Sequence, residues 1–384
     1  MHQEINSRRD IAIDATRGLA MLLVFVAHFG WILSKKGGST NLLFLTTNIG
    51  LFASPIFMML SGCMLGYYYQ RKKDDVPGFQ RKFIDRGFFL LTIGHFLIML
   101  AHVRLSGNIA DTFRWGFITD AIGVSMICGA MLVPVMSAAR RLVLGVVLFA
   151  AASILSIFWW PASPFGIFMK ETLIGSSIGE YYIYNFPLMP WFALYIAGSC
   201  LGERISIYAR DGKKKEIGSL LRGALLCLLL FLAVKLIMKL LVLQGYISTN
   251  DMLYIFLAKQ SQKLPPTIGY FLYHGSIGVV ILLTFMQYRD NDMVKKMLQA
   301  LAFIGQASLA VFIVQYYVYY TIFYSIHAGD AVYWVAPLYF ILSVGFLWWF
   351  SIMWVRLGWN KYLSVLYPIT CLQHNGTVGV RKPK

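Results

Sequence analysis

The sequence predicts an all-α, polytopic membrane bundle of about ten transmembrane helices, and three observations predict it. Hydrophobic residues fill 58% of the 384 positions while charged residues are held to 13%, about half of the usual quarter, and mean hydropathy is +0.64. Apolar stretches of about 18 residues or more, long enough to cross a hydrocarbon core, recur along the whole chain. They fall at 11–34, 46–69, 86–105, 117–138, 141–160, 185–202, 218–243, 267–287, 302–327 and 332–355. Third, the joining segments alternate in basic content. With the first one placed inside, segments 1–10, 70–85, 139–141, 203–217, 288–299 and 356–384 carry 22 Lys and Arg, against 6 in the outer ones. Both termini are therefore expected in the cytoplasm, and a bacterial inner membrane is the expected seat. One transmembrane domain, 1–355, and a cytoplasmic tail, 356–384, account for the chain.

The net charge of +17 follows from this asymmetry and from contact with anionic headgroups, so it does not imply a nucleic-acid partner. The first apolar run is too long for a cleavable signal peptide and is expected to stay as an anchor. Within it, Asp14, Arg17 and His28 interrupt an otherwise apolar helix. The eleven steps from Arg17 to His28 return to within about 20° of one face, roughly 16 Å apart along the axis. The stripe Arg17, Met21, Val24, His28 is expected to face protein, because a lipid-facing charge costs at least about 2.5 kcal/mol.

The second span carries Phe57-Met58-Met59-Leu60-Ser61-Gly62 and runs into a basic loop that includes Arg71, Arg81, Lys82 and Arg86. Such a loop enforces topology and can also grip phosphates through charge-assisted contacts. The third span places His95 near its middle and His102, seven residues on, near its outer end; the fourth opens with Asp120. The fifth leaves through an aromatic outer connection, 161–184, which continues as Tyr181-Tyr182-Ile183-Tyr184-Asn185-Phe186 into the sixth. Aromatic residues there suit an interfacial belt or a ledge for a sugar ring. The eighth span carries His274 in its outer half. His28, His102, Asp120 and His274 thus fall at similar depth on four spans, where a bundle could gather them around one cavity. A His with a carboxylate partner is a common general base. No carboxylate falls near the middle of a span, which argues against proton-coupled transport. Cys63, Cys128, Cys200, Cys227 and Cys371 show no spacing that suits zinc or a disulfide framework, and no metal site is expected.

The order Ile13-Asp14-x-x-Arg17-Gly18-Leu19-Ala20 with His28, then Phe57 to Gly62, then a basic loop into Arg86-Gly87 resembles the integral-membrane acyltransferases. Two branches share it: acyltransferase family 3, and the heparan-alpha-glucosaminide N-acetyltransferase-like group. Pro187-x-x-Pro190-Trp191-Phe192-x-x-Tyr195-x-x-Gly198-x-x-Leu201-Gly202 and Asp120-Ala121-Ile122-Gly123 are similar to stretches of the second branch; Gly305-Gln306-Ala307-Ser308-Leu309 is similar to both. Two positions depart from the pattern. Gln315 stands where many relatives place a His, and Arg86-Gly87-Phe88-Phe89 replaces the Arg-x-Tyr-Pro ending of family 3.

The resemblance covers most of the chain and implies transfer of an acyl group from cytoplasmic acyl-CoA, acetyl-CoA in the simplest case, to a hydroxyl or amine of a glycan or lipid-linked sugar outside. His28 matches the position regarded as catalytic, and Arg81 and Arg86 match basic residues near the donor. The expectation is His28 as general base with Asp120 as its orienting carboxylate, and Arg17, Arg81 and Arg86 on the donor phosphates. A non-enzymatic transporter or exporter of a glycan or lipid would use the same polar stripe as a pathway. An envelope scaffold would leave His28 and Arg17 unexplained.

Overall fold

Apolar runs in a water-free setting must satisfy their own backbone groups, and helices do so within one segment. The computed structural model describes residues 10–35, 40–175, 183–184, 186–211, 214–326 and 332–366. The first helix, α1, covers Ile11–Lys35, followed by α2, Thr40–Gly50, and α3, Ala53–Arg71. Helix α4, Val76–Phe89, begins where the Asp75 carboxylate accepts the Gly78 N–H at 3.0 Å, with Pro77 in the first turn. A π-helical turn, Leu90–Gly94, joins it to α5, His95–Ser106, which ends at Gly107 with φ +70°. Strand β1, Trp115–Gly116, precedes α6, Ile118–Val135, and α7, Ala138–Phe158. A short α8, Pro164–Leu173, and strand β2, Ile183–Tyr184, follow; β2 pairs in parallel with β1. The longer elements that follow are α9, Leu188–Arg210; α10, Lys214–Leu243; α11, Ile268–Tyr288; α12, Asp292–Gln306; α13, Ser308–Tyr316, running into a second π-helical segment, Tyr317–Phe323; and α14, Val332–Arg356.

Among the described residues, eight helical segments are long and apolar enough to cross a membrane, nine when the bent pair α12–α13 counts as one. The chain is an all-α integral membrane protein. The expected span 185–202 corresponds to α9, whose 23 residues reach about 34 Å. It is less apolar than the others because it lies inside the bundle, burying Trp191, Tyr195, Ser199 and Ser206. A helix shielded from lipid can carry polar residues that a lipid-facing one cannot. The expected span 302–327 starts earlier, at Asp292, and turns by 67° at Ala307. Of the expected tail, 367–384 lies outside the described residues, as does Cys371.

Two glycine seams set the closest packing. On α3 and α9, a Cβ at Gly62 or Gly66 would strike the carbonyl oxygen of Tyr195 or Ser199, and one at Gly198 or Gly202 that of Met59 or Cys63. On α1 and α12, Gly18 and Gly305 stand against the backbone of Leu301 and Asp14 in the same manner. Polar clamps fix the end of the bundle that carries the basic loops. Arg141, 1% exposed, donates to Ser199 Oγ at 2.9 Å and pairs with Glu203, which also accepts from Gln70. Arg289 pairs with Asp10 beside it. The opposite face is called outer below.

Candidate active site

The α1 stripe is turned inward, as a charged face must be. Met21 and Val24 are buried, and Arg17 Nη2 donates to Ser308 Oγ at 2.6 Å across the α12–α13 bend. At the far end, His28 Nδ1 meets Gln315 Oε1 at 3.0 Å. With the Gln315 amide in this orientation its oxygen accepts, so the imidazole donates from Nδ1 and presents the Nε2 lone pair. Tyr316, Tyr320 and Phe312 surround the ring at centroid distances of 4.9, 5.5 and 6.2 Å. The sequence singled out Gln315 only as a departure from a pattern; its hydrogen bond to His28 was not foreseen. Gln315 is fully buried, and its Nε2 has no acceptor among the described residues.

His102 shares two of those neighbours, with ring centroids 4.8 Å from Tyr316 and 4.6 Å from Tyr320, while its Nδ1 donates to the Ile98 carbonyl at 2.9 Å. Asp120 is engaged elsewhere than expected. Its Oδ1 lies 2.9 Å from His95 Nδ1 and its Oδ2 accepts the Phe117 N–H at 2.7 Å. Asp120 sits in the first turn of α6, where a carboxylate is drawn to free backbone donors, and the π turn before α5 delivers His95 to the same place. Asp120 therefore orients His95, and Gln315 takes the place beside His28. Phe117 touches both His95 and His102, at 5.4 and 4.9 Å between ring centroids, and so links the pair to the His28 group. His274 stands apart, hydrogen-bonded to the Tyr270 carbonyl at 2.9 Å and packed against Phe52 and Tyr273.

At the Arg17 end of the stripe opens a cavity of about 480 Å³, lined by Arg17, Lys82, Arg86, Tyr68, Ser308 and Phe312 among others. Phe312 thus borders the cavity on one side and His28 on the other. Arg81, expected beside the donor, is exposed and does not line the cavity; Lys82 does. Lys82 and Arg86 are four residues apart and share a helix face, which Arg81 and Arg86, five apart, do not. The Lys82 ammonium lies over the Tyr68 ring, 3.9 Å from its centre. Three cations around a cavity whose other walls mix apolar residues with Ser61, Thr119, Gln306, Ser308 and Asn360 suit a ligand with several phosphates and a long, partly apolar arm. Among the described residues, no group of three or more His, Cys, Asp or Glu is placed to hold a metal ion.

On the outer face, Tyr181, Tyr182 and Asn185 of the expected aromatic ledge lie outside the described residues. Phe186 and Trp191, which continue it, meet with ring centroids 5.3 Å apart.

A family model described as an acyltransferase domain matches residues 10–354. No curated protein matches the chain.

Proposed function

The chain belongs to this acyltransferase family, acyltransferase 3, and on that premise we propose that it moves an acyl group from cytoplasmic acyl-CoA to a hydroxyl or amine of a glycan or glycolipid on the outer side. The observation that supports this reading best is the α1 stripe, because it joins a cationic cavity at one end to a His with an available Nε2 at the other. CoA phosphates fit Arg17, Lys82 and Arg86, each charge-assisted contact contributing about 1.5–3 kcal/mol. The roughly 16 Å rise from Arg17 to His28 is within reach of an extended pantetheine arm.

In the proposed reaction, His28 Nε2 takes the proton of the acceptor hydroxyl or amine as its oxygen or nitrogen attacks the thioester carbonyl. The C–S bond then breaks, and the imidazolium returns that proton to the CoA sulfur. The Gln315 carbonyl holds the imidazole in the tautomer this requires. The Pro187 to Gly202 stretch, which resembles the glucosaminide-acetylating branch, forms the α9 seam against α3. Close packing accounts for its glycines, so the stretch does not argue for an amino-sugar acceptor. A bacterial inner-membrane location with both termini inside completes the proposal.

Purified protein incubated with acyl-labelled acetyl-CoA and extracted envelope glycans tests it. Label should appear on glycan with the wild type and fall by about 10² or more with His28→Ala. Well-folded wild type that leaves all label on CoA would favour a carrier of glycan or lipid over an enzyme.

A further inference from the structure

Three outer segments converge over the His28 region. Gly175, at φ +98°, lies against Pro187 and Pro265, so the end of α8, the start of α9 and the loop before α11 meet at one place. That last loop is tied internally: Gln262 Nε2 donates to the Leu264 carbonyl at 2.6 Å, Lys263 bridges to Pro266, and the Thr267 N–H donates to the Gln262 carbonyl at 3.3 Å. Lys263 is half-buried there. The ammonium lies 4.3 Å from the centre of the Phe186 ring, and Phe186 packs against both the cluster around Phe117 and Tyr316 and the cluster around Trp191 and Tyr270. The first of those clusters includes Tyr316, whose ring centroid lies 4.9 Å from that of His28.

A cation drawn into an apolar setting needs an anion or a strong hydrogen-bond set to offset its desolvation. Among the described residues Lys263 has neither a carboxylate partner nor a hydrogen bond to its ammonium, and burial lowers its pKa to about 8, which still leaves it charged at neutral pH. The Phe186 face offsets only part of the cost, since cation–π contacts contribute about 0.5–2 kcal/mol. The other cations near the site, Arg17, Lys82 and Arg86, line the donor cavity at the opposite end of the stripe. A donor held there leaves Lys263 without an anionic partner among the described residues.

We propose that Lys263 binds an anionic group, a carboxylate or a phosphate, on the acceptor, so that this protein acylates acidic glycans or sugar phosphates in preference to neutral sugars. The proposal rests on the acyl-transfer reading and names the substrate class of that site. In it, the acceptor enters from the outer face, its anion docks on Lys263 beside Phe186, and a neighbouring hydroxyl or amine is delivered to His28. Lys263 is a positioning residue and takes no part in proton transfer.

The test measures binding and transfer separately on the full chain in nanodiscs of neutral lipid. Equilibrium dialysis compares labelled methyl glucuronide, glucose 1-phosphate and methyl glucoside. At least one anionic probe should bind tenfold or more tighter than methyl glucoside; the one that does identifies carboxylate or phosphate as the natural group. Lys263→Gln should erase that difference while leaving acyl-CoA binding unchanged, and Lys263→Arg should retain most of it. Equal binding of all three probes to the wild type, no binding of either anion, or a preference that survives in Lys263→Gln would overturn the proposal. Label transfer from acetyl-CoA to the same probes is followed alongside. Selective anion binding without transfer would uphold the anion site and count against the enzymatic reading, whereas transfer to all three alike would do the reverse.

Discussion

At the residue scale, the His28–Gln315 pair makes the most specific claims. Through its carbonyl oxygen the amide holds the Nδ1–H tautomer, but it carries no charge to stabilise the imidazolium formed during proton transfer. Loss of one orienting hydrogen bond is worth about 0.5–1.5 kcal/mol, up to roughly tenfold in rate. Gln315→Leu is therefore expected to lower kcat by up to about tenfold with little change in the KM for acyl-CoA, well short of the about 10² loss expected for His28→Ala. A kcat for Gln315→Leu as low as that of His28→Ala would mean that Gln315 does more than orient. Asp120→Asn should cost less transfer than His28→Ala, because its carboxylate serves His95 and the start of α6. Detergent-solubilised Asp120→Asn should instead show a lowered Tm, from a weakened cap and a lost charge-assisted contact.

At the element scale, helix periodicity explains both what was legible and what was not. The inward stripe of α1 could be read from four residues, because 100° per residue holds over an unbroken helix. The resemblance, rather than periodicity, singled out Arg81; Lys82 and Arg86 share a face and line the cavity, and that spacing was already visible. What the sequence concealed lies at breaks in periodicity. The π turn at 90–94 resets the phase before His95, and the π segment at 317–323 does so beside Gln315 and Tyr316. One extra residue per turn rotates everything that follows, so no heptad or 3.6-residue count could pair His95 with Asp120. Arg86→Ala and Lys82→Ala are each expected to raise the KM for acyl-CoA about ten- to a hundredfold, as loss of a phosphate contact should. Arg81→Ala is the control from the exposed face and should leave it near wild type. Equal effects from all three would return the basic run to a general surface-charge role. In the glycine seam, Gly62→Leu should reduce the yield of folded protein sharply, since its Cβ would strike the Tyr195 carbonyl and crowd the Ser199 backbone.

At the scale of the whole molecule, the passage count depends on α9, the helix that hydropathy alone leaves out. Its start, Pro187, touches Gly175 in the segment that holds α8, and Pro265 touches the same glycine from the loop before α11. Its other end, at Glu203, accepts from Gln70 at the end of α3 and pairs with Arg141 at the start of α7. The helix therefore runs from one loop layer to the other. Asp10 reaches Arg289 in the same layer as those polar clamps, and the N–H groups of Val365 and Leu366 donate to Asp85 of α4, next to Arg86, so the first and last described residues lie at the end that carries the basic loops. Charge asymmetry leads us to propose that end as the cytoplasmic one. Reporter fusions after residues 40, 75, 170 and 212 should read outside, inside, outside and inside. The decisive comparison is between 170 and 212. If α9 crosses the membrane they must differ, whereas a helix buried without crossing would give both the same sign and reverse the side of every later loop. A same-side result would also put the Lys263 loop and the donor cavity on one face, and transfer across the bilayer would lose its geometric basis.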